Sequence, residues 1–158
     1  MIDKKLVNKV SSLLKGKDLK IATAESCTGG LIGHILTNVS GSSDYFDRGV
    51  VSYSNLSKME LLDVSEELLE NHGAVSKEVA KAMAEGIRRK ADVDIGVSST
   101  GIAGPTGGTK EKPVGLVYMG LSTKDKTIAE KHVFSGDRIE NKYSTCSTVL
   151  KMLLAEIS

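Results

Sequence analysis

Leu6, Val7, Val10, Leu13 and Leu14 recur at three- and four-residue intervals, with Lys4, Lys5, Asn8 and Lys9 mostly opposite. Residues 4–14 are therefore predicted to form an amphipathic helix, closed by Gly16. Residues 19–24 (LKIATA) predict a short strand that runs into Glu25-Ser26-Cys27-Thr28-Gly29-Gly30. Helical spacing returns with Leu31, Ile32, Ile35 and Leu36. After the Ser-Gly-Ser-Ser break at 40–43, residues 46–53 predict a second strand, and Ser54 or Asn55 can cap a short helix to about Leu62. Another helical turn or two at 65–70 stops at Gly73. Ser76 then caps a helix over 77–91 that places Val79, Ala80, Met83, Ala84 and Ile87 on one face. A third strand, 94–100, leads into the second glycine-rich loop, GIAGPTGG at 101–108. Residues 114–122 and 127–134 predict two more strands, and their four-residue link suits an antiparallel hairpin. The closing helix begins at Asp137, with Glu140 at capping-box spacing, and is expected to bury Tyr143, Val149, Leu150, Leu153 and Leu154.

Strands interleaved with helices predict a single three-layer α/β/α domain over 1–158, of the α/β class. Its mixed sheet should have about five strands, the last two forming the hairpin. The chain has 158 residues, of which 40% are hydrophobic, which suffices for one sizeable core. A net charge of +1 and an aromatic share of 4% without Trp supply neither the basic surface nor the stacking platforms of a nucleic-acid binder, so no such partner is expected. No stretch approaches the roughly 18 apolar residues of a membrane span, and no apolar segment follows the N-terminal lysines, so a cytoplasmic protein without a membrane partner is expected. Cys27 and Cys146 read as reduced thiols.

Each glycine-rich loop follows a predicted strand, and open α/β sheets bind ligands beyond the carboxyl ends of their strands. In the first loop, Ser26 stands beside the amides of Cys27, Thr28, Gly29 and Gly30, which are expected to open a helix. A helix terminus can hold a phosphate or an oxyanion. Ser26 is then a nucleophile or an N-cap. Cys27 is a rival nucleophile, because a helix terminus lowers a thiol pKa. None of His34, His72 and His132 lies beside either loop, which leaves Tyr53 and Lys58 as the more distinctive partners. A desolvated lysine can act as a base, and Tyr53 can relay or share the proton. A Tyr-Lys pair also occurs in short-chain dehydrogenases, but at a different interval, and G-x-G-x-x-G is absent here. Glu25, Asp44 and Asp47 lack metal-ligand spacing, so no metal is expected. In the second loop, Thr100, Gly101, Gly104, Thr106, Gly107 and Gly108 offer hydroxyls and bare amides to a phosphate or ribose. Arg138 is either a phosphate-binding guanidinium or a surface arginine.

Four ordered segments carry a resemblance: Ala24-Glu25-Ser26-Cys27-Thr28-Gly29-Gly30, Gly49-Val50-Val51-Ser52-Tyr53-Ser54-Asn55 with Lys58, Thr100-Gly101-Ile102-Ala103-Gly104-Pro105, and Gly136-Asp137-Arg138. Over essentially the whole chain the sequence resembles the CinA C-terminal domain family, the nicotinamide-nucleotide amidohydrolases. The resemblance implies hydrolysis of nicotinamide mononucleotide to nicotinate mononucleotide and ammonia, in pyridine-nucleotide salvage, without a cofactor. It implies Ser26 as nucleophile, assisted by Tyr53 and Lys58. Cys27, Thr28, Gly29 and Gly30 would hold the oxyanion, and Asn55, Thr100, Gly101, Gly104 and Arg138 the nucleotide, with ribose and 5′-phosphate gripped by the TGIAGP loop and Arg138. A homo-oligomer, with a dimer favoured, is expected of such a family member. Many members carry an additional N-terminal domain linked to ADP-ribose pyrophosphate hydrolysis. This sequence does not contain it, so that activity is not expected. Lys142 stands where an arginine is common. The competing readings are a non-catalytic nucleotide-binding or competence-related interaction module, and a different amidase or esterase using the same serine.

Overall fold

The computed structural model describes all of residues 1–158. Its five strands are β1 (Ile21–Glu25), β2 (Phe46–Val51), β3 (Ile95–Gly101), β4 (Leu116–Ser122) and β5 (Thr127–Val133), joined in one sheet of order β2-β1-β3-β4-β5. β1 is parallel to both β2 and β3, whereas β4 and β5 add antiparallel, the second as the expected hairpin. Six helices cover the sheet: α1 (Lys4–Gly16), α2 (Leu31–Thr37), α3 (Asn55–Leu62), α4 (Glu66–His72), α5 (Lys77–Ala91) and α6 (Arg138–Ile157). α1, α2 and α6 lie on one face, and α3, α4 and α5 on the other.

The two faces differ because side chains alternate along a strand. On β1, Ile21 joins the core under α1, α2 and α6, whereas Ala22 and Ala24 join the core under α5. Thr23 and Glu25 therefore share the face of Ile21 and point toward α2. On β3, Ile95 and Val97 share that face, and Ser99 follows them; Gly96, Ser98 and Thr100 face α5. The α5 face is built from small residues, which lets the helix lie against backbone. A Cβ on Gly96 would stand 2.2 Å from the Ala84 carbonyl oxygen, and one on Gly120 would stand 2.4 Å from that of Ala80. The Ser98 hydroxyl completes this contact by donating to the Ala80 carbonyl at 2.6 Å.

Most predicted elements recur with shifted ends, each for a local reason. α5 has the predicted bounds, with Ser76 as N-cap accepting from the Val79 amide at 3.2 Å. Gly16 lies inside α1, and the left-handed residue that turns the chain is Asp18, at φ 52°. β2 ends at Val51 instead of residue 53, because Ser54 leaves the sheet to cap α3 in a reciprocal box with Ser57; Asn55 is the first helical residue, not the cap. β4 begins at Leu116 because Gly115, at φ 89°, turns against the Phe134 carbonyl. The capping box at Asp137 and Glu140 opens α6 as expected, but Tyr143 and Leu154 are only partly buried, at the margin of the α1 contact.

Candidate functional site

The carboxyl ends of β1, β2 and β3 lie side by side, with Glu25 opposite both Val51 and Ser99. Just beyond them the Ser26 amide donates to the Ser99 carbonyl at 2.9 Å and the Ser52 amide to that of Glu25 at 2.8 Å, so the first residue past each strand is still held by the sheet. α3 then brings Lys58 back beneath this edge.

Residues 27–30 form a turn and do not open the helix, contrary to the sequence expectation. Gly29 and Gly30, at φ 61° and 99°, carry the chain through left-handed backbone before α2 starts at Leu31. The turn is closed by the Gly29 amide donating to the Ser26 carbonyl at 3.0 Å; the amides of Thr28 and Gly30 donate to no protein acceptor, and that of Cys27 leans only on its own thiol. The helix terminus is occupied from within. The Glu25 carboxylate, on a residue 1% exposed, accepts from the amides of Ile32 at 2.8 Å and Gly33 at 3.0 Å. The remaining free donors beside Ser26 are turn amides, not helix amides.

Lys58 is 1% exposed, and its Nζ lies 3.3 Å from Ser26 Oγ, 2.9 Å from the Ser52 carbonyl oxygen and 3.5 Å from that of Tyr53. No carboxylate pairs with it. Burial, opposed only by the neighbouring Cys27, holds the Lys58 ammonium below the ordinary lysine value. As the neutral amine, Lys58 can keep two N–H groups on the carbonyls of Ser52 and Tyr53, with its lone pair facing the Ser26 hydroxyl. That is the arrangement of a serine with a lysine base.

Cys27 does not behave as a helix-terminal thiol. Burial pushes its pKa up to about 11, above the opposing effect of its own amide, so it is a protonated thiol at neutral pH. Cys146, also buried, shifts in the same direction. Tyr53 is 60% exposed, and its hydroxyl accepts from Arg138 Nη2 at 3.1 Å without touching Ser26 or the Lys58 ammonium. Arg138 donates with Nη1 to the Gly104 carbonyl at 2.7 Å. This arginine is thus neither a free surface residue nor an unoccupied phosphate fork, but a clasp across three segments.

The second glycine-rich segment is mostly turned away from Ser26. The Thr100 hydroxyl donates to the Ala74 carbonyl at 2.7 Å, because alternation along β3 directs it to the α5 face. A Cβ on Gly101 would stand 2.6 Å from the Leu116 carbonyl oxygen, so this glycine serves the packing of β3 on β4. Thr106, Gly107 and Gly108 lie on an exposed excursion, and Asn55 is exposed at the start of α3 with no side-chain hydrogen bond. His34 pairs with Asn38, His72 with Glu78 and His132 with Glu130, all outside the Ser26 site.

The structure brings in four residues that sequence reasoning did not assign to the site. Glu25 and Ser99 surround the nucleophile turn through Thr28. Asn141, buried on α6, donates to the Ala103 carbonyl at 3.0 Å and accepts from the Gly136 amide at 3.0 Å. Lys142 holds its ammonium 3.7 Å from where a Cβ on Gly29 would sit, without an ion-pair partner. Only Glu25 left a local signal, a carboxylate three residues before a threonine at the end of a strand. A groove lined by Met1, Ile2, Val7, Ile35, Val39 and Tyr143 lies between α1, α2 and α6 and includes none of Ser26, Tyr53 and Lys58.

A family model for the CinA C-terminal domain matches residues 3–157. A relative from Caldicellulosiruptor bescii is 50% identical over 157 residues, covering 99% of this chain but 38% of the relative. A CinA-like protein of Syntrophus aciditrophicus is 49% identical over 152 residues, again 96% of this chain and 36% of the relative. The chain thus spans little more than a third of the length of these curated relatives. Among solved structures, the competence/damage inducible protein CihA from Agrobacterium tumefaciens superposes with a TM-score of 0.94 at 38% identity, covering 98% of this chain and 97% of that one.

Proposed function

The chain belongs to the CinA C-terminal domain family, and on that premise we propose that it is an amidohydrolase that converts nicotinamide mononucleotide to nicotinate mononucleotide and ammonia. The observation that carries this reading is the buried, unpaired Lys58 Nζ, 3.3 Å from Ser26 Oγ. Ser26 Oγ attacks the carboxamide carbon as Lys58 takes its proton. The carbonyl π electrons move to oxygen, and the Cys27 and Thr28 amides stabilise that oxyanion. Such donors are each worth about 10²–10³ in rate. As the oxyanion collapses, the C–N bond breaks and Lys58 returns the proton to the leaving nitrogen, releasing ammonia. Water then attacks the ester carbon, giving a proton to Lys58, and the Oγ–C bond breaks with the proton restored to Ser26.

Tyr53 has a different part in this scheme. Its exposed hydroxyl, held by Arg138, supports a role at the nucleotide end of the substrate and leaves the proton transfer to Lys58. The unpaired Lys142 supplies positive charge that a 5′-phosphate requires, and Arg138, its fork engaged with Gly104 and Tyr53, adds its charge from behind that contact. The test is ammonia release from nicotinamide mononucleotide by wild type and Ser26→Ala, with nicotinamide riboside as the phosphate-free comparison. Release by wild type alone, and from the mononucleotide alone, is expected. Silence from folded wild type overturns the reading in favour of a nucleotide-binding module, and equal release from the riboside favours a broader amidase.

A further inference from the structure

Glu25 is expensive where it stands. It is a buried carboxylate with no cation beside it, although a serine or aspartate in the loop would cap a short helix at lower desolvation cost. Its second commitment explains what it adds. The Thr28 hydroxyl, fully buried, donates to Glu25 Oε1 at 2.6 Å and lies 2.7 Å from Ser99 Oγ. Thr28 has one proton and donates it to Glu25, so in its contact with Ser99 the serine is the donor. A chain of this kind polarises each member in turn.

The consequence falls on the turn. Between Ser26 and Leu31 the backbone passes through two left-handed glycines and is closed by two internal hydrogen bonds, from the Gly29 amide to the Ser26 carbonyl at 3.0 Å and from the Leu31 amide to the Thr28 carbonyl at 3.2 Å. Left to itself such a segment would sample several conformations, and the amides of Cys27 and Thr28 would not hold one direction. Thr28 is the one hydroxyl side chain in the turn itself, and it is tied at once to β1 through Glu25 and to β3 through Ser99.

We propose that Glu25 is a positioning residue for the Ser26 nucleophile, acting through Thr28 to fix the turn whose free amides face the reacting carbonyl. The role rests on the amidohydrolase reading only in taking Ser26 as nucleophile; the identity of the substrate does not enter it. A plain helix cap would alter the stability of α2 and leave the reactivity of Ser26 unchanged, so reactivity distinguishes the two.

A fluorophosphonate probe reports that reactivity without nucleotide recognition. Ser26 Oγ forms a bond to phosphorus, the P–F bond breaks, and the hydroxyl proton passes to Lys58. Labelling rates of purified full-length wild type, Glu25→Gln, Thr28→Val and Thr28→Ser are compared after thermal melts establish that each is folded. Glu25→Gln and Thr28→Val are expected to label about tenfold more slowly or worse, with kcat for ammonia release falling in parallel and KM within about threefold of wild type. Thr28→Ser, which keeps the hydroxyl, is expected to return labelling to within about threefold of wild type. Folded Glu25→Gln and Thr28→Val proteins that label at the wild-type rate overturn the proposal, as does Thr28→Ser labelling as slowly as Thr28→Val. Should Glu25→Gln fail to fold, the two Thr28 variants decide alone. Wild type that labels but releases no ammonia from the mononucleotide overturns the substrate reading, while the labelling comparison still decides this one.

Discussion

The segments that follow β1 and β3 are alike in composition and opposite in use. Both join strand ends at one edge of the sheet, and both combine glycines with threonine. After β1, the glycines turn the chain so that amides are left without protein partners beside Ser26, while Thr28 is tied into the sheet. After β3, the Thr100 hydroxyl and the carbonyls of Ala103 and Gly104 are spent on the protein itself, whereas the amides of Ala103, Gly104, Thr106, Gly107 and Gly108 have no protein acceptor and no nucleophile beside them. Thr100 holds the approach to α5, Gly101 lets β4 come close, and the Gly104 carbonyl holds Arg138. Neither glycine content nor a free amide therefore distinguishes a ligand-facing loop from a packed one; the reactive side chains that stand beside those amides, here Ser26 and Lys58, do.

The sharpest way to break this contrast is at the first segment's base. Lys58→Met is expected to lower kcat for ammonia release on the order of 10³-fold, and steady-state kinetics would read it directly. Because burial depresses the Lys58 pKa, the active amine is present above that depressed value, so activity rises with pH through it, below the ordinary 10.5. The same shift sets the sign for stability. Between the depressed value and 10.5 the unfolded chain binds the proton that the folded chain does not, so stability increases with pH across that window. Lys58→Met should abolish this dependence and raise the melting temperature at neutral pH, since a buried unpaired amine is replaced by an apolar chain of similar length.

At the second segment the expected losses are of stability. Gly101→Ala would press a methyl group to 2.6 Å from the Leu116 carbonyl oxygen, a backbone contact that cannot swing away. A loss of about 1–3 kcal/mol in urea unfolding is expected. Thr100→Val should cost about 1 kcal/mol by removing the bond to Ala74, with KM for the mononucleotide changed less than about twofold. A large rise in KM there would return Thr100 to the ligand and erase the contrast. The smallest effect belongs to the clasp between the segments. Tyr53→Phe deletes one exposed hydrogen bond to Arg138, and should raise KM by less than about threefold while leaving the rate of Ser26 labelling unchanged. Slower labelling would make Tyr53 a participant in the proton transfer.

What the sequence disclosed, and what it hid, follows the range of the interactions concerned. α5 was legible to its bounds because Ser76 and five apolar positions act within the helix itself. The β4–β5 hairpin was legible from a four-residue link. Ser26 and Lys58 could be nominated from residue type and resemblance, but their contact needed α3 to fold back on the sheet. Glu25 was passed over because its partners, the amides of residues 32 and 33, are brought to it by a turn that residue types do not specify. The contact of Tyr53 with Arg138 was hidden because its partner is 85 residues away. The thiol of Cys27 was expected to shift downward from a helix terminus, whereas burial, a property of the assembled core, sends it upward.

The pairing of β1 with β3 also sets when in the life of the molecule the site can exist. Ile21 lies opposite Ile95, and the Ser26 amide is satisfied only by Ser99, so the nucleophile turn has no fixed shape until a segment over seventy residues further on has docked. During synthesis, a ribosome-bound chain that has not yet released residues 95–101 carries Ser26 as an ordinary serine and Lys58 as an ordinary solvated ammonium. The reactive pair is switched on when β3 docks against β1.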